Sequence, residues 1–266
     1  MAKFLRDEHV KNLSITEETL DMINEFLVDR EATTNDTLGT TEENKKNILL
    51  LTYVIRFDNR GHKLNDFDEI KKYYSQAKNV ERVLFILDSN LSERTSRMYG
   101  TYFEVRLDYN DPNNCIVTAA SDDEDSVNSV FNGIMDILND CKNNNGRVRN
   151  SWTQLFVQIF GVAAGFVISL IAGLQISPYI NIDNAFVIVF IFMFLIFSNA
   201  WGFINHQINA FLNYSFPNIR FIRKGKDSLH WLLQTVIGGL VVAVFLLLIG
   251  KASQWVGKIL GQFIQQ

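Results

Sequence analysis

Three stretches of about 20 residues each, Leu155–Leu174, Ala185–Ile204 and Trp231–Gly250, contain no charged side chain. At the rise of an α-helix each is roughly 30 Å long, which matches the hydrocarbon thickness of a bilayer. Three such helices inside a soluble core would need a polar shell that the rest of the 266-residue chain cannot supply. The pattern predicts an all-α membrane domain of three transmembrane helices over residues 151–250.

The other half has the opposite character. Residues 1–150 hold 27 acidic and 19 basic side chains, a net charge of −8, whereas residues 151–266 hold 2 and 6, a net +4. Such a split indicates water as the solvent of one half and lipid as that of the other. Cys115 and Cys141 are the only cysteines, which excludes a disulfide framework and fits a reducing compartment. Met1 to Glu8 lacks the apolar core of a secretory leader, so the first hydrophobic helix is expected to act as the insertion signal.

Lys142, Arg147 and Arg149 precede the first span, and Arg220, Arg223, Lys224 and Lys226 lie between the second and third. The short connection 175–184 has no basic residue. The positive-inside rule then puts the N-terminal domain and the 205–229 loop in the cytoplasm and the C-terminus outside a cell inner membrane, with the lipid bilayer as partner. Lys251 and Lys258 run against that orientation. Residues 251–266 repeat Val256, Ile259, Leu260, Phe263 and Ile264 at helical spacing and read as an amphipathic interfacial tail, or else as an extension of the third helix. The basic and apolar mixture Arg220–Lys226 suits contact with an anionic leaflet.

In the soluble half, residues 1–30 read as an N-terminal helical segment through Leu20, Ile23, Phe26 and Leu27, with Ser14 or Thr16 as cap. Residues 31–47 are polar, without hydrophobic period, and read as a linker. Residues 48–150 alternate: strand 48–57, helix 66–77, strands 82–87, 102–109 and 115–120, and helix 123–143. The last helix has its apolar face at Val127, Val130, Phe131, Ile134, Leu138 and Cys141. This is an α+β domain, a small sheet with helices on one face. Along 102–109, Phe103, Val105, Leu107 and Tyr109 alternate with Tyr102, Glu104, Arg106 and Asp108. The second set makes a polar outer face open to a partner or ligand, with Arg56 and Arg106 as ligand-binding candidates and the loop Ser92–Arg97 placed to close over it. Cross-strand ion pairs on a solvated face are the plainer use of the same residues.

Catalytic patterns are missing. His9, His62, His206 and His230 have no metal-ligand spacing, no Gly-rich phosphate loop follows a strand, and no nucleophile elbow occurs. Asp122–Asp125 lacks the spacing of a calcium loop and suits the start of a helix. Neither enzymatic activity nor a cofactor is expected. A membrane enzyme would have to rely on His206, the one ionisable candidate of the spans.

The membrane half carries two stripes. Gly161, Gly165, Ser169 and Gly173 repeat every four residues in the first span, a spacing that lets helix backbones approach, within one subunit or between subunits. Thr235, Gly239 and Ala243 repeat the device in the third. In the second span Asn199, Gly202, His206, Asn209 and Asn213 form one polar seam, widened by Ser198, Asn205 and Gln207. Amides cannot face acyl chains unsatisfied, so the seam is expected to bond other helices or to line water in a pore.

With this domain order and the stripes at 161–173 and 199–213, the chain resembles the small membrane effectors of bacterial anti-phage defence, the Hailong-type channel effector among them. The resemblance implies a cytosolic domain that senses a nucleotide or oligonucleotide signal and a homo-oligomeric membrane part that permeabilises the inner membrane. The expectation is a ligand-gated channel or pore-forming effector, with the second span lining the path and the first packing subunits. The other reading is a membrane-anchored adaptor whose acidic domain recruits a protein partner.

Overall fold

A computed structural model of the chain describes residues 3–38 and 44–223, together with Thr235, Val236 and Gly239, which are helical. Apart from those three, the expected third span and the amphipathic tail lie outside the described residues. The described fold belongs to the first of two compact units, which ends at Lys224.

Strands β1 (Phe4–His9) and β2 (Leu13–Ile15) precede the long helix α1 (Glu17–Thr37). Strands β3 (Leu49–Phe57) and β4 (Arg60–Leu64) form a hairpin, followed by α2 (Phe67–Gln76), β5 (Val80–Ser89) and the short helix α3 (Asn90–Arg94). Then come β6 (Tyr102–Asp108), β7 (Ile116–Ser121) and α4 (Glu124–Asp140). Two apolar helices, α5 (Ser151–Ile176) and α6 (Ala185–Ser215), lead to a last strand, β8 (Ile219–Phe221).

The main sheet has six strands in the order β1-β7-β6-β5-β3-β4, every pairing antiparallel. The β3–β4 turn places Asp58 and Asn59 both at positive φ (47° and 62°), the left-handed pair that matches strand twist in a two-residue hairpin. Leu51, Tyr53, Ile55, Val83, Phe85, Leu87, Phe103, Val105, Leu107, Val117 and Ala119 point to one face and are buried. Against them pack Leu20, Ile23 and Leu27 of α1, Ile70 and Tyr74 of α2, and Val127, Val130, Phe131, Ile134 and Leu138 of α4. Helix starts follow from short polar caps. The Thr16 hydroxyl accepts from Thr19 N–H, Asp66 from Asp68 N–H, and Asp123 from Asp125 and Ser126 N–H.

The α+β domain is thus present, and its sheet is larger than the sequence suggested. Residues 1–30 are not simply helical: β1 and β2 come first, and β1 adds an edge strand to β7 through backbone pairing, its own side chains being mostly exposed. Residues 31–47 are not simply a linker, because α1 runs on to Thr37. The reason is specific bonding to β3, whose first residues extend beyond β4. Asn35 Oδ1 accepts from Leu49 N–H (2.8 Å), Asn35 Nδ2 donates to Leu49 O (3.0 Å), and Glu31 Oε1 accepts from Leu51 N–H (3.1 Å). Polar side chains on the last turns of α1 therefore take the place of a neighbouring strand.

Helices α5 and α6 are long and apolar enough to cross a bilayer. In the most apolar 18-residue stretch of each, only 17% and 6% of residues are buried, which is unlike the core helix of a soluble protein. Two membrane-length helices are described where three apolar stretches were read.

Candidate functional site

The outer face of the sheet, away from the helices, is where the sequence placed a receptive polar surface. In register across the strands, Arg56, Arg82 and Asp108 lie in one row, Val54, Leu84 and Arg106 in the next, then Thr52, Ile86 and Glu104, then Leu50, Asp88 and Tyr102. Much of that face is closed rather than open, since Tyr102, Glu104 and Asp108 are all buried.

Arg82 and the backbone of Asn110 and Asp111 enclose Asp108, and what closes the Tyr102–Glu104 end is the segment after α3. Ser96 and Arg97 both take left-handed backbone conformations (φ 50° and 68°), unusual for residues with a Cβ. Gly100 (φ 82°) lets the chain pass so close that a Cβ there would stand 2.5 Å from Ser89 Oγ. This path turns Arg97 back over the sheet. Its guanidinium lies 3.8 Å from the centroid of the Tyr102 ring, and its Nη1 donates to Glu104 Oε2 (2.8 Å) and Tyr102 Oη (2.6 Å). Tyr102 Oη also lies 2.7 Å from Glu104 Oε2, and Arg97 Nη2 is 3.8 Å from Asp88 Oδ2. Burial pushes the Tyr102 phenol up, and its bond to Glu104 adds to that shift. Burial also raises the Asp88 carboxyl, against the opposing pull of Arg97 and Ser92.

Arg56 and Arg106 are not brought together as a ligand pair. Arg56 Nε binds Glu81 Oε2 (2.7 Å), and Arg106 Nε lies 3.3 Å from Glu104 Oε1, buried and without an aligned hydrogen bond. Arg82 binds the buried Asp108 (2.6 Å). Each arginine of this face therefore already has a carboxylate, as the plainer reading of the sequence had it.

Beside the network is a hollow of about 700 Å³ whose floor is Leu50, Thr52 and Ile86 and whose walls include Lys63, Asn65, Asp88, Glu93 and Arg97. Neither Arg56 nor Arg106 lines it. Lys63 is exposed, and no ion pair joins it to a described residue. This hollow was missed from sequence because β4, which carries Lys63, is short and polar (Arg-Gly-His-Lys-Leu) and has no hydrophobic alternation. Among the described residues no group of three or more His, Cys, Asp or Glu is arranged to hold a metal ion.

In the membrane-length pair the small-residue stripe faces α6 of the same chain. Gly161, Gly165, Ser169 and Gly173 are the buried residues of α5. A Cβ on Gly161 would stand 1.9 Å from Trp201, one on Gly165 2.2 Å from Phe197, and one on Gly173 2.9 Å from Phe186. Aromatic rings thus occupy the notches that the glycines leave, and Phe166 meets Phe190 edge-on at 5.5 Å. Ser169 satisfies itself by donating to Gly165 O (2.7 Å). Gly239 is helical, and its stripe partners fall outside the described residues apart from Thr235.

The polar seam lies on the other side of α6. Phe186, Phe190, Phe197 and Trp201 look at α5, whereas Asn199, Gly202, His206 and Asn213 are exposed, roughly opposite at 100° per residue. Space is open around the Gly202 Cβ position. Asn199 Nδ2 bonds back to Leu195 O (3.1 Å), and Asn209, half-buried, bonds back to Asn205 O (2.9 Å). Asn205, at the edge of the seam, reaches Gln158 of α5 (3.4 Å).

Fold and sites together define an α+β domain joined to a pair of apolar helices of membrane-spanning length, with a polar face on the second helix. Comparison with known proteins gives no match: no family model, no curated protein and no solved structure.

Proposed function

We propose that the protein is a homo-oligomeric, ligand-gated membrane channel or pore-forming effector of the inner membrane, acting in anti-phage defence. The observation that carries this reading is the exposed seam Asn199, Gly202, His206 and Asn213 on the side of α6 away from α5. In a bilayer, amides and an imidazole at that position need protein or water, and α5 is already engaged on the opposite side. Like faces of several copies meeting around a common axis supply both. Outward of Asn199 the same side of α6 carries Ile188, Ile191, Phe192 and Leu195, which form a dewetting constriction above a wet cytoplasmic vestibule. Subunits then meet through α6, and the α5 stripe holds the pair together within each chain.

The signal enters at the hollow between Lys63 and Arg97. An anion such as a nucleotide phosphate finds Lys63 there, but it has to compete with Asp88 and Glu104 for Arg97. Local cations matter in a domain of net −8.

Reconstituting the full chain in liposomes tests the reading by ion flux, with the oligomeric state measured in detergent. A closed ring of four or more subunits that conducts supports it. A monomer that conducts with no nucleotide or oligonucleotide added refutes the oligomeric pore, and a protein with no flux under any such ligand refutes the channel. The adaptor reading draws on the acidic domain. It predicts that replacing the spans with one unrelated anchor preserves function, whereas a channel loses it.

A further inference from the structure

The chain does not leave the domain when it enters α5, because it returns after α6. The C-terminal end of α6 closes with Phe216 N–H on Leu212 O (2.8 Å), and Pro217 starts a strap that runs to Arg223. Strand β8 of this strap lies parallel to β2, with Leu13, Ser14 and Ile15 opposite Ile219, Arg220 and Phe221. Asn218, Ile219 and Phe221 are buried. Leu13 N–H donates to Asn218 O (2.9 Å), Asn12 N–H to Asn218 Oδ1 (3.0 Å), and Ile222 N–H to Ile15 O (2.7 Å).

Two strands of three residues each, in the weaker parallel pairing, do not hold alone. Helix α2 supplies the rest. Tyr74 places its hydroxyl 2.9 Å from Ile15 O and 3.1 Å from Ile222 O, so one proton serves a carbonyl on each side of the junction. The Tyr74 ring stands edge-on to Phe221 at 6.1 Å. Arg223 donates to Ala77 O and Lys78 O (the latter 2.7 Å), at the C-terminal end of α2 where a cation complements the helix carbonyls. The strap is therefore gripped by α2 at two points a helical turn apart. At its other end, α2 starts from Asp66, the residue after Asn65 on the rim of the hollow.

We propose that α2 is the lever between the hollow and α6: a ligand seated against Lys63 and Asn65 moves α2, and the strap carries that movement to the cytosolic end of the polar seam. The consequence for conduction rests on the channel reading above. The mechanical link does not.

The test uses the full chain in lipid nanodiscs with Cys115→Ser and Cys141→Ser, and spin labels on Asn213→Cys of α6 and Asp136→Cys of α4, both exposed positions. Tyr74→Phe and, as the variant least able to disturb folding, Arg223→Gln each loosen the grip. Hydrogen exchange at the Leu13 and Ile222 amides is expected to speed up by roughly two- to tenfold per tie, the range for one net hydrogen bond. The distance distribution between the labels is expected to shift or broaden. Unchanged exchange would overturn the grip, and faster exchange with an unchanged label distance would overturn the lever. In liposomes, wild-type conduction that ignores both variants also overturns it. Absence of wild-type conduction sinks the channel reading alone, since exchange and label distance still judge the link.

Discussion

Gly161→Ala offers the sharpest check on how α5 and α6 are assembled. The added methyl would stand 1.9 Å from Cε2 and Cζ2 of Trp201, and ordinary contact begins near 3.4 Å, so the ring must retreat by about 1.5 Å. Neighbouring rings resist, because Trp201 is stacked on Phe197 at 6.1 Å, and Phe197 fills the next notch over Gly165. Overpacking of this kind costs about 1–3 kcal/mol. Alanine's better helix propensity returns about 1 kcal/mol, leaving a net loss of up to roughly 2 kcal/mol, against a gain of about 1 kcal/mol where no clash arises. Titration with a denaturing detergent, followed by helicity, measures it. Gly202→Ala is the internal control: its Cβ meets open space, so within one chain only the propensity gain applies. The packing argument further requires that Gly161→Ala lose most of its penalty in a Trp201→Ala background, a coupling of about 1–2 kcal/mol in a double-mutant cycle. Equal effects of Gly161→Ala and Gly202→Ala, or additivity of Gly161→Ala with Trp201→Ala to within about 0.5 kcal/mol, would refute it.

The outer face of the sheet gives two further expectations, and the two cysteines a third. Glu104→Ala leaves Arg97 and Tyr102 without their shared acceptor and Arg106 without its neighbouring carboxylate, and is expected to cost about 2–3 kcal/mol in denaturant unfolding, less than a fully buried pair because Arg97 is partly exposed. Asp88 has a carboxyl raised by burial, so the folded state holds its proton more tightly than the unfolded chain, and stability falls as pH rises through the window above the ordinary carboxylate value. Asp88→Asn should accordingly be more stable than wild type at pH 7, with the difference vanishing below that window; a variant less stable at pH 7 contradicts the assignment. Cys115 is buried and its thiol is pushed up by that burial, while Cys141 is half-buried. Alkylation of the folded protein followed by mass spectrometry should label Cys141 first and Cys115 only on unfolding.

How legible all this was from sequence depended on whether a residue's partner was local. The start of helix α4 was legible to within a residue, because Asp123 caps it and its five buried side chains fall at helical spacing, whereas the reading ran three residues past its end at Asp140, where Cys141 is already the cap. Strands β5, β6 and β7 were visible from β-branched and aromatic runs, and the apolar helices from length alone. The missed elements owe their structure to distant backbone. Strand β1 has little apolar alternation and exists because β7 pairs with it, β8 exists because β2 does, and the last turns of α1 persist because Asn35 and Glu31 satisfy β3. On the outer face of the sheet, the alternation at 102–109 separated Phe103, Val105 and Leu107 from Glu104, Arg106 and Asp108, and Arg97 of the Ser92–Arg97 loop lies over that face, but the face read as open is largely closed. The pairing was not legible: nothing in a one-dimensional pattern says that Arg97, at a left-handed backbone, reaches Glu104 while Arg106 is left poorly aligned. Both stripes were visible, yet the direction each faces was not, since spacing alone does not say which helix sits opposite.

The connections between the domain and the two apolar helices explain why those directions matter together. The chain enters α5 and returns from α6 at the same short segment. Asn143 N–H donates to Asn12 O (2.7 Å), Asn143 Nδ2 to Ser14 Oγ (3.1 Å), and Asn145 Nδ2 to Pro217 O (3.0 Å). Asn12 itself turns at φ 60°, with Gly146 so near that a Cβ there would meet the Asn12 amide at 2.5 Å. Entry and exit are therefore pinned to residues 12–15, and further along the two helices are locked by rings set over glycines. A pair fixed at one end by hydrogen bonds and along its length by close packing turns as a unit more readily than it separates. In the lever proposed above, rotation of such a pair would re-aim the outward polar face of α6 while its contacts with α5 stay packed, so a shift of β2 or α2 would act first on where Asn199 and His206 point.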